Sequence, residues 1–161
     1  MNVSCGIVLA TSDGWLICHS TGNKHWDFPK GMMEGDEGCL EAAIRELKEE
    51  AGVDLLEKKD DVVLSKDLGR HSYSSSKDLR LFYVYLKGKL DVSLLECTSM
   101  FEMKSKWAPS RMMPEMDRFE FKYPDDAIPM LGKSMQEWVK SHVPAELLDV
   151  VSLYKLTKEP S

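Results

Sequence analysis

The chain has 161 residues, 43% of them hydrophobic, with a formal net charge of −6. That length and apolar content fit one domain around a single core, spanning 1–161, and leave no room for a second. The acidic balance argues against diffuse attraction to nucleic acid, though it permits a local basic pocket. No apolar run reaches the ~18 residues of a membrane helix, and no basic segment followed by a long apolar one opens the chain, so a soluble, cytoplasmic protein with no membrane partner is expected. None of these quantities fixes an oligomeric state.

In chain order, Val3 to Ala10 is rich in β-formers, Ser12-Asp13-Gly14 supplies turn chemistry, and Trp15 to His19 reads as the returning strand of a hairpin. A polar loop from Thr21 to Lys24 leads into His25-Trp26-Asp27-Phe28-Pro29-Lys30-Gly31, where Pro29 holds the preceding residue extended. A helix is expected at about 38–51, with Asp36 as N-cap, Gly52 as a left-handed C-cap, and Leu40, Ile44, Leu47 and Ala51 as its core-facing stripe. Val62 to Tyr73 and Leu79 to Lys87 are strand candidates joined by the loop 74–78, and Arg118 to Tyr123 is a late strand candidate. A helical segment is expected over about 125–156. Its first helix is interrupted early by Pro129 and ends near His142, a second runs from Ala145 to Tyr154, and Lys158 to Ser161 are expected to be disordered. Strands on both sides of a central helix, followed by terminal helices, predict an α/β layered fold.

Cys5, Cys18, Cys39 and Cys97 show no C-x-x-C spacing and are expected to pack as structural thiols. His19, His25, His71 and His142 are equally scattered, so no zinc site is indicated.

Glu46, Glu49 and Glu50 stand at i, i+3 and i+4, which places their carboxylates on one side of a helix. A glutamate-rich helix face is commonly plain solvated surface. Here the flanking Gly31, Glu37, Arg45 and Gly52 complete the pattern Gly-x5-Glu-x7-Arg-Glu-x2-Glu-Glu-x-Gly over residues 31–53, and in this segment the chain resembles the Nudix hydrolases. The resemblance implies an α/β/α sandwich with a mixed β-sheet and a metal-dependent pyrophosphohydrolase. Glu46, Glu49 and Glu50 would be metal ligands, with Glu46 also positioning the attacking water. Mg²⁺ is the implied ion and Mn²⁺ a substitute; crowded carboxylates are hard oxygen donors that suit either. Arg45 is read as holding a carboxylate in place, and Glu37 as stabilising the helix N-terminus or orienting a water. Gly31 is read as a position of close backbone approach.

Two further segments resemble the branch containing dinucleoside polyphosphate hydrolases and RNA pyrophosphohydrolases. The first is the Trp26 to Gly31 approach, in which Lys30 would bind a phosphate and Trp26 either joins the core or stacks on a base. The second is Pro114-Glu115-Met116-Asp117, where Glu115 would supply an additional carboxylate to the metal, with Glu120 as the runner-up. Arg70, Lys77, Arg80 and Arg111 are weaker phosphate candidates, and Met112, Met113 and Met116 are read as gap-fillers. The implied substrate is a nucleotide: a dinucleoside polyphosphate of the diadenosine tetraphosphate type, or the triphosphate at an RNA 5′ end. The alternatives are ADP-ribose, a nucleotide sugar or flavin dinucleotide, or damaged nucleoside triphosphates. A nucleotide-binding module without turnover would have no use for the full set of carboxylates.

Overall fold

The computed structural model describes residues 2–157; the expectation for Lys158 to Ser161 falls outside them. Nine strands are defined among these residues: β1 (Asn2–Thr11), β2 (Gly14–Ser20), β3 (Trp26–Asp27), β4 (Lys30–Met32), β5 (Val62–Ser74), β6 (Lys77–Leu86), β7 (Met100–Met103), β8 (Arg111–Pro114) and β9 (Met116–Lys122). The helices are α1 (Cys39–Ala51), α2 (Pro124–Ala127), α3 (Lys133–His142), α4 (Ala145–Leu148) and α5 (Val150–Thr157). The main sheet runs β3-β2-β1-β6-β5, with β4 also on β1 and β9 also on β2, while β7 and β8 form a separate hairpin. Only β1 and β6 run parallel, so the sheet is mixed.

Side-chain alternation splits the core into two layers. Val3, Cys5, Ile7 and Leu9 of β1 pack on the α1 side with Leu16, Cys18, Phe82 and Val84. Val8, Ala10, Trp15, Ile17, Tyr83 and Tyr85 face the opposite side, where α3 delivers Met135, Trp138 and Val139. A sheet covered on both faces needs continuous apolar strands, and β1 is buried from Val3 to Thr11. This is the expected α/β/α arrangement.

The predicted hairpin forms but splays. β1 and β2 pair only at Ala10 with Trp15 and Thr11 with Gly14. Beyond that point β1 pairs with β4 through Cys5 and Gly31, and β2 pairs with β3 through His19 and Trp26. Residues 26–32 therefore bridge the splayed strands, secured by the Ile7 N–H donating to the Pro29 carbonyl at 3.2 Å. On its other edge β2 takes β9, from Trp15 opposite Lys122 to Ser20 opposite Met116.

Several sequence expectations are corrected. Cys5 and Cys39 form a disulfide, leaving Cys18 and Cys97 free; the inward face of β1 meets the start of α1, a proximity their separation of 34 residues conceals. Gly38, not Asp36, precedes the first turn of α1, and the Glu41 carboxylate accepts the Gly38 N–H at 3.4 Å. Leu40 is exposed, and the buried stripe is Ala42, Ala43, Glu46, Leu47, Glu50 and Ala51. The C-terminal segment starts a helix at Pro124, passes through a 3₁₀ turn at Ile128–Met130, and breaks at Asp149, whose carboxylate accepts the Ser152 N–H at 3.0 Å. The Tyr83 hydroxyl donates to the Leu147 carbonyl at 3.0 Å and ties this segment to the sheet.

Gly52 ends α1 at φ 78°, and its N–H returns to the Lys48 carbonyl at 2.9 Å. A Cβ there would lie 3.0 Å from the Glu96 carbonyl oxygen. Gly52→Ala should lower the unfolding free energy by about 1–2 kcal/mol, the cost of a left-handed L-residue, measured by urea denaturation; wild-type stability would refute this account of the helix end.

Candidate active site

The carboxylates expected to act together are assembled by three connections. Glu46, Glu49 and Glu50 come from α1. Gly31 arrives on β4, and a Cβ there would stand 2.1 Å from Glu46 Oε1, so only glycine leaves space for that carboxylate. Glu115 is brought across by a relay of backbone hydrogen bonds: Thr98 N–H donates to the Glu49 carbonyl at 2.7 Å, and Glu115 N–H donates to the Ser99 carbonyl at 2.8 Å. The Glu115 carbonyl in turn accepts the Thr21 N–H at 3.0 Å.

Arg45 organises the rest. Its guanidinium grips Glu37 through both oxygens, at 2.8 and 3.0 Å, and donates to Glu46 at 3.0 Å, to Glu49 at 3.1 Å and to the Met32 carbonyl at 2.8 Å. These bonds hold Glu37 below the usual carboxylate range and raise the Arg45 pKa. These contacts are the ones that a residue holding carboxylates in place would make. Glu37 lies before the helix rather than in it, where it fixes Arg45 and accepts the Glu34 N–H at 2.9 Å.

Sequence reasoning separated a buried side of α1 from an acidic one; the two overlap. Glu46 is 8% exposed and Glu50 4%. Burial pushes Glu46 up, Arg45 pulls it down, and Glu49 and Glu115 push it up again, leaving it raised. Glu50 is pushed up to about 9, chiefly by burial and then by the charge on Glu46, while the Lys30 N–H at 3.1 Å opposes the shift. Buried carboxylates that repel one another and face open space are the donor set a hard cation would satisfy. Glu46, Glu49, Glu50 and Glu115 fit such an ion, although among the described residues no three potential ligands are already gathered as a closed set.

Glu50 and Glu115 line one open cleft of about 380 Å³, together with Asp27, Lys30, Thr21 and Phe101. The Lys30 ammonium bonds Asp27 at 2.7 Å; burial works to lower its pKa, but the charge and hydrogen bond of Asp27 prevail and raise it. Lys30 is therefore a fixed cation beside the acidic cluster.

Other candidates fall elsewhere. Trp26 is 8% exposed, and Arg118 lies over its ring at 5.3 Å, so it closes a side pocket and is not a free stacking platform as a substrate-binding role would require. Glu120 sits on β9 near Lys122, at 3.9 Å, beside a different depression, away from Glu50. Arg70 pairs with Asp78 at 2.7 Å and Arg80 with Asp67, both structural. Of the three methionines, Met116 is buried and Met112 is exposed. Asp27 was missed, although its spacing of three residues from Lys30 was a usable signal. Thr21, whose buried hydroxyl has no partner among the described residues, gave no signal in sequence.

Two outcomes follow. Because Glu50 is raised to about 9, the folded metal-free protein retains a proton that the unfolded chain has released, so its stability should fall as pH rises from ~4.5 to ~9. Glu50→Gln should flatten that slope in thermal melts, and an unchanged slope would contradict the assignment. Gly31→Ala should displace the Glu46 carboxylate and cut turnover at least about tenfold with the fold retained by circular dichroism; full activity would show that the contact is unimportant.

Comparison with known proteins agrees with this geometry. A NUDIX domain family model matches residues 2–125. A 17.7 kDa protein from the e–segB intergenic region of Enterobacteria phage T4 is 38% identical over 132 residues, covering 73% of this chain and 79% of that one. The RNA pyrophosphohydrolase of Halorhodospira halophila is 43% identical over 49 residues, 30% of this chain and 27% of the relative. A crystal structure of a C. elegans Ap4A hydrolase binary complex superposes with a TM-score of 0.57 at 18% identity, covering 96% of this chain and 99% of the other, and so shares the fold. With that family model spanning most of its length, and with every fixed residue of the 31–53 pattern in place around the acidic cleft, this chain belongs to the Nudix family and is a pyrophosphohydrolase.

Proposed function

We propose that the enzyme cleaves a pyrophosphate linkage within a nucleoside-bearing polyphosphate chain, either a dinucleoside polyphosphate of the diadenosine tetraphosphate type or the triphosphate at an RNA 5′ end. The observation that carries this reading is the Lys30 ammonium, held by Asp27 at 2.7 Å within the same cleft as Glu50 and Glu115. A long polyphosphate needs a fixed cation beyond the reacting phosphorus, and Lys30 is a point charge in that place.

Glu46, Glu49, Glu50 and Glu115 would hold the divalent cation, Mg²⁺ with Mn²⁺ as a substitute. When bound, such an ion neutralises phosphate charge and lowers the pKa of a water. Arg45 orients Glu46 and Glu49. Glu115 lines the cleft; in this reading it accepts the proton of the attacking water, with Glu46 positioning that water. Lys30 binds the phosphate chain, and the leaving phosphate departs along the open side of the cleft.

An activity panel tests the substrate. Diadenosine tetraphosphate or 5′-triphosphorylated RNA should give the highest kcat/KM; an advantage of about tenfold for ADP-ribose or an oxidised nucleoside triphosphate would overturn the reading. Glu115→Gln should lower kcat by about 10²–10⁴, the usual worth of a general acid–base group, with KM nearly unchanged, whereas Glu120→Gln should be close to silent.

A further inference from the structure

The β7–β8 hairpin joins the cleft to the outside. At its base, Phe101 lines the cleft beside Glu50 and Glu115. Arg111 lies opposite Met103, and Phe101 opposite Met113, so all four share the cleft-side face of the hairpin. Three residues further on, roughly 10 Å along an extended strand, the connecting loop begins at Lys104 and reads Lys-Ser-Lys-Trp-Ala-Pro-Ser.

Two properties set this loop apart. Trp107 is 92% exposed, more than any other large hydrophobic residue described, and its backbone N–H donates to the Ser105 hydroxyl at 3.2 Å. Around it, in a chain of net charge −6, the segment 100–114 carries three basic residues, Lys104, Lys106 and Arg111, against the single acid Glu102. None of the three forms an ion pair among the described residues, in contrast to Arg70 and Arg80 on the sheet. An indole left in water, with lysines at 104 and 106 in the same loop, buries no surface for the fold. Bases stacking on an exposed aromatic and phosphates meeting flanking cations are the two elements of single-strand recognition.

We propose that the β7–β8 hairpin is a docking arm for single-stranded RNA: Trp107 stacks on a base while Lys104, Lys106 and Arg111 hold phosphates downstream of a 5′ end seated in the cleft. The inference rests on the reading of the cleft as a site for phosphorylated nucleotide ends and selects the RNA member of that pair. A membrane surface would satisfy tryptophan and lysines equally, but it gives no reason for the arm to be continuous with the cleft wall.

The test is fluorescence anisotropy with a single-stranded RNA of about ten nucleotides bearing a 5′-hydroxyl, which offers nothing to hydrolyse. Trp107→Ala should weaken binding by about tenfold or more. Lys104→Ala/Lys106→Ala should make the slope of log K against log salt shallower by about 1.4, the value for two phosphate contacts to a single strand. Both variants should hydrolyse diadenosine tetraphosphate at the wild-type rate. Wild-type RNA affinity in both variants, loss confined to phosphatidylserine vesicles, or an equal fall in tetraphosphate turnover would each overturn the arm. Hairpin-dependent RNA binding without pyrophosphate release from triphosphorylated RNA would support the arm and refute the RNA 5′ end as the substrate instead.

Discussion

Carboxylates crowded on one buried stretch of helix are the constraint around which this molecule is arranged. Glu46 and Glu50 occupy core positions on α1, where apolar side chains would be more stable, and Glu115 faces them across the cleft. Like charges at that depth are unfavourable by several kcal/mol each unless paired or neutralised. Much of the neighbouring structure answers that cost. Arg45 spans Glu46 and Glu49 while clamped by Glu37, the Lys30 amide reaches Glu50, and Gly31 withholds a side chain so that the Glu46 carboxylate has somewhere to lie.

The fold serves the same end. Had β1 and β2 paired along their full length, residues 26–32 could not have reached both strands. Their divergence lets one short segment pair with β2 at Trp26 and with β1 at Gly31, and so sets Asp27 and Lys30 facing the helix. The loop after β6 is tied to the end of α1 at Glu49 and Ala51, and that tie carries Glu115 to the site from 65 residues beyond Glu50. The sheet and helix supply the carboxylates proposed to hold the metal; the loop and hairpin that border the cleft are where substrate-distinguishing contacts are proposed.

What could be read from the sequence was local. The i, i+3, i+4 spacing located Glu46, Glu49 and Glu50, Gly52 marked the end of the helix, and runs of β-forming residues bounded by turn residues located β1, β2, β5 and β6. What could not be read depended on contacts between distant segments. The Cys5–Cys39 bond joins a strand to a helix start, and the cover of Arg118 over Trp26 depends on β9 lying beside β2. The core stripe was placed in part: Leu47 and Ala51 are buried and Ile44 packs against the core, but counting every Leu as apolar and every Glu as polar put Leu40 inside and left Glu46 and Glu50 out. The buried face of α1 instead includes two glutamates and leaves Leu40 in water. The hydrophobic pattern fails at the two residues proposed to carry the chemistry, as it does where function competes with packing.

The central claim, that this cluster is an incomplete site requiring a cation, is tested most directly by calorimetric titration of Mn²⁺ into the metal-free protein at pH ~7 in buffers of differing ionisation enthalpy. Since the Glu50 carboxyl is raised to about 9, it is protonated before binding and must lose its proton to become a ligand. The account predicts release of roughly one proton per ion bound, reduced toward zero in Glu50→Gln. Tight binding with no proton release, or release unaltered by that substitution, would contradict it.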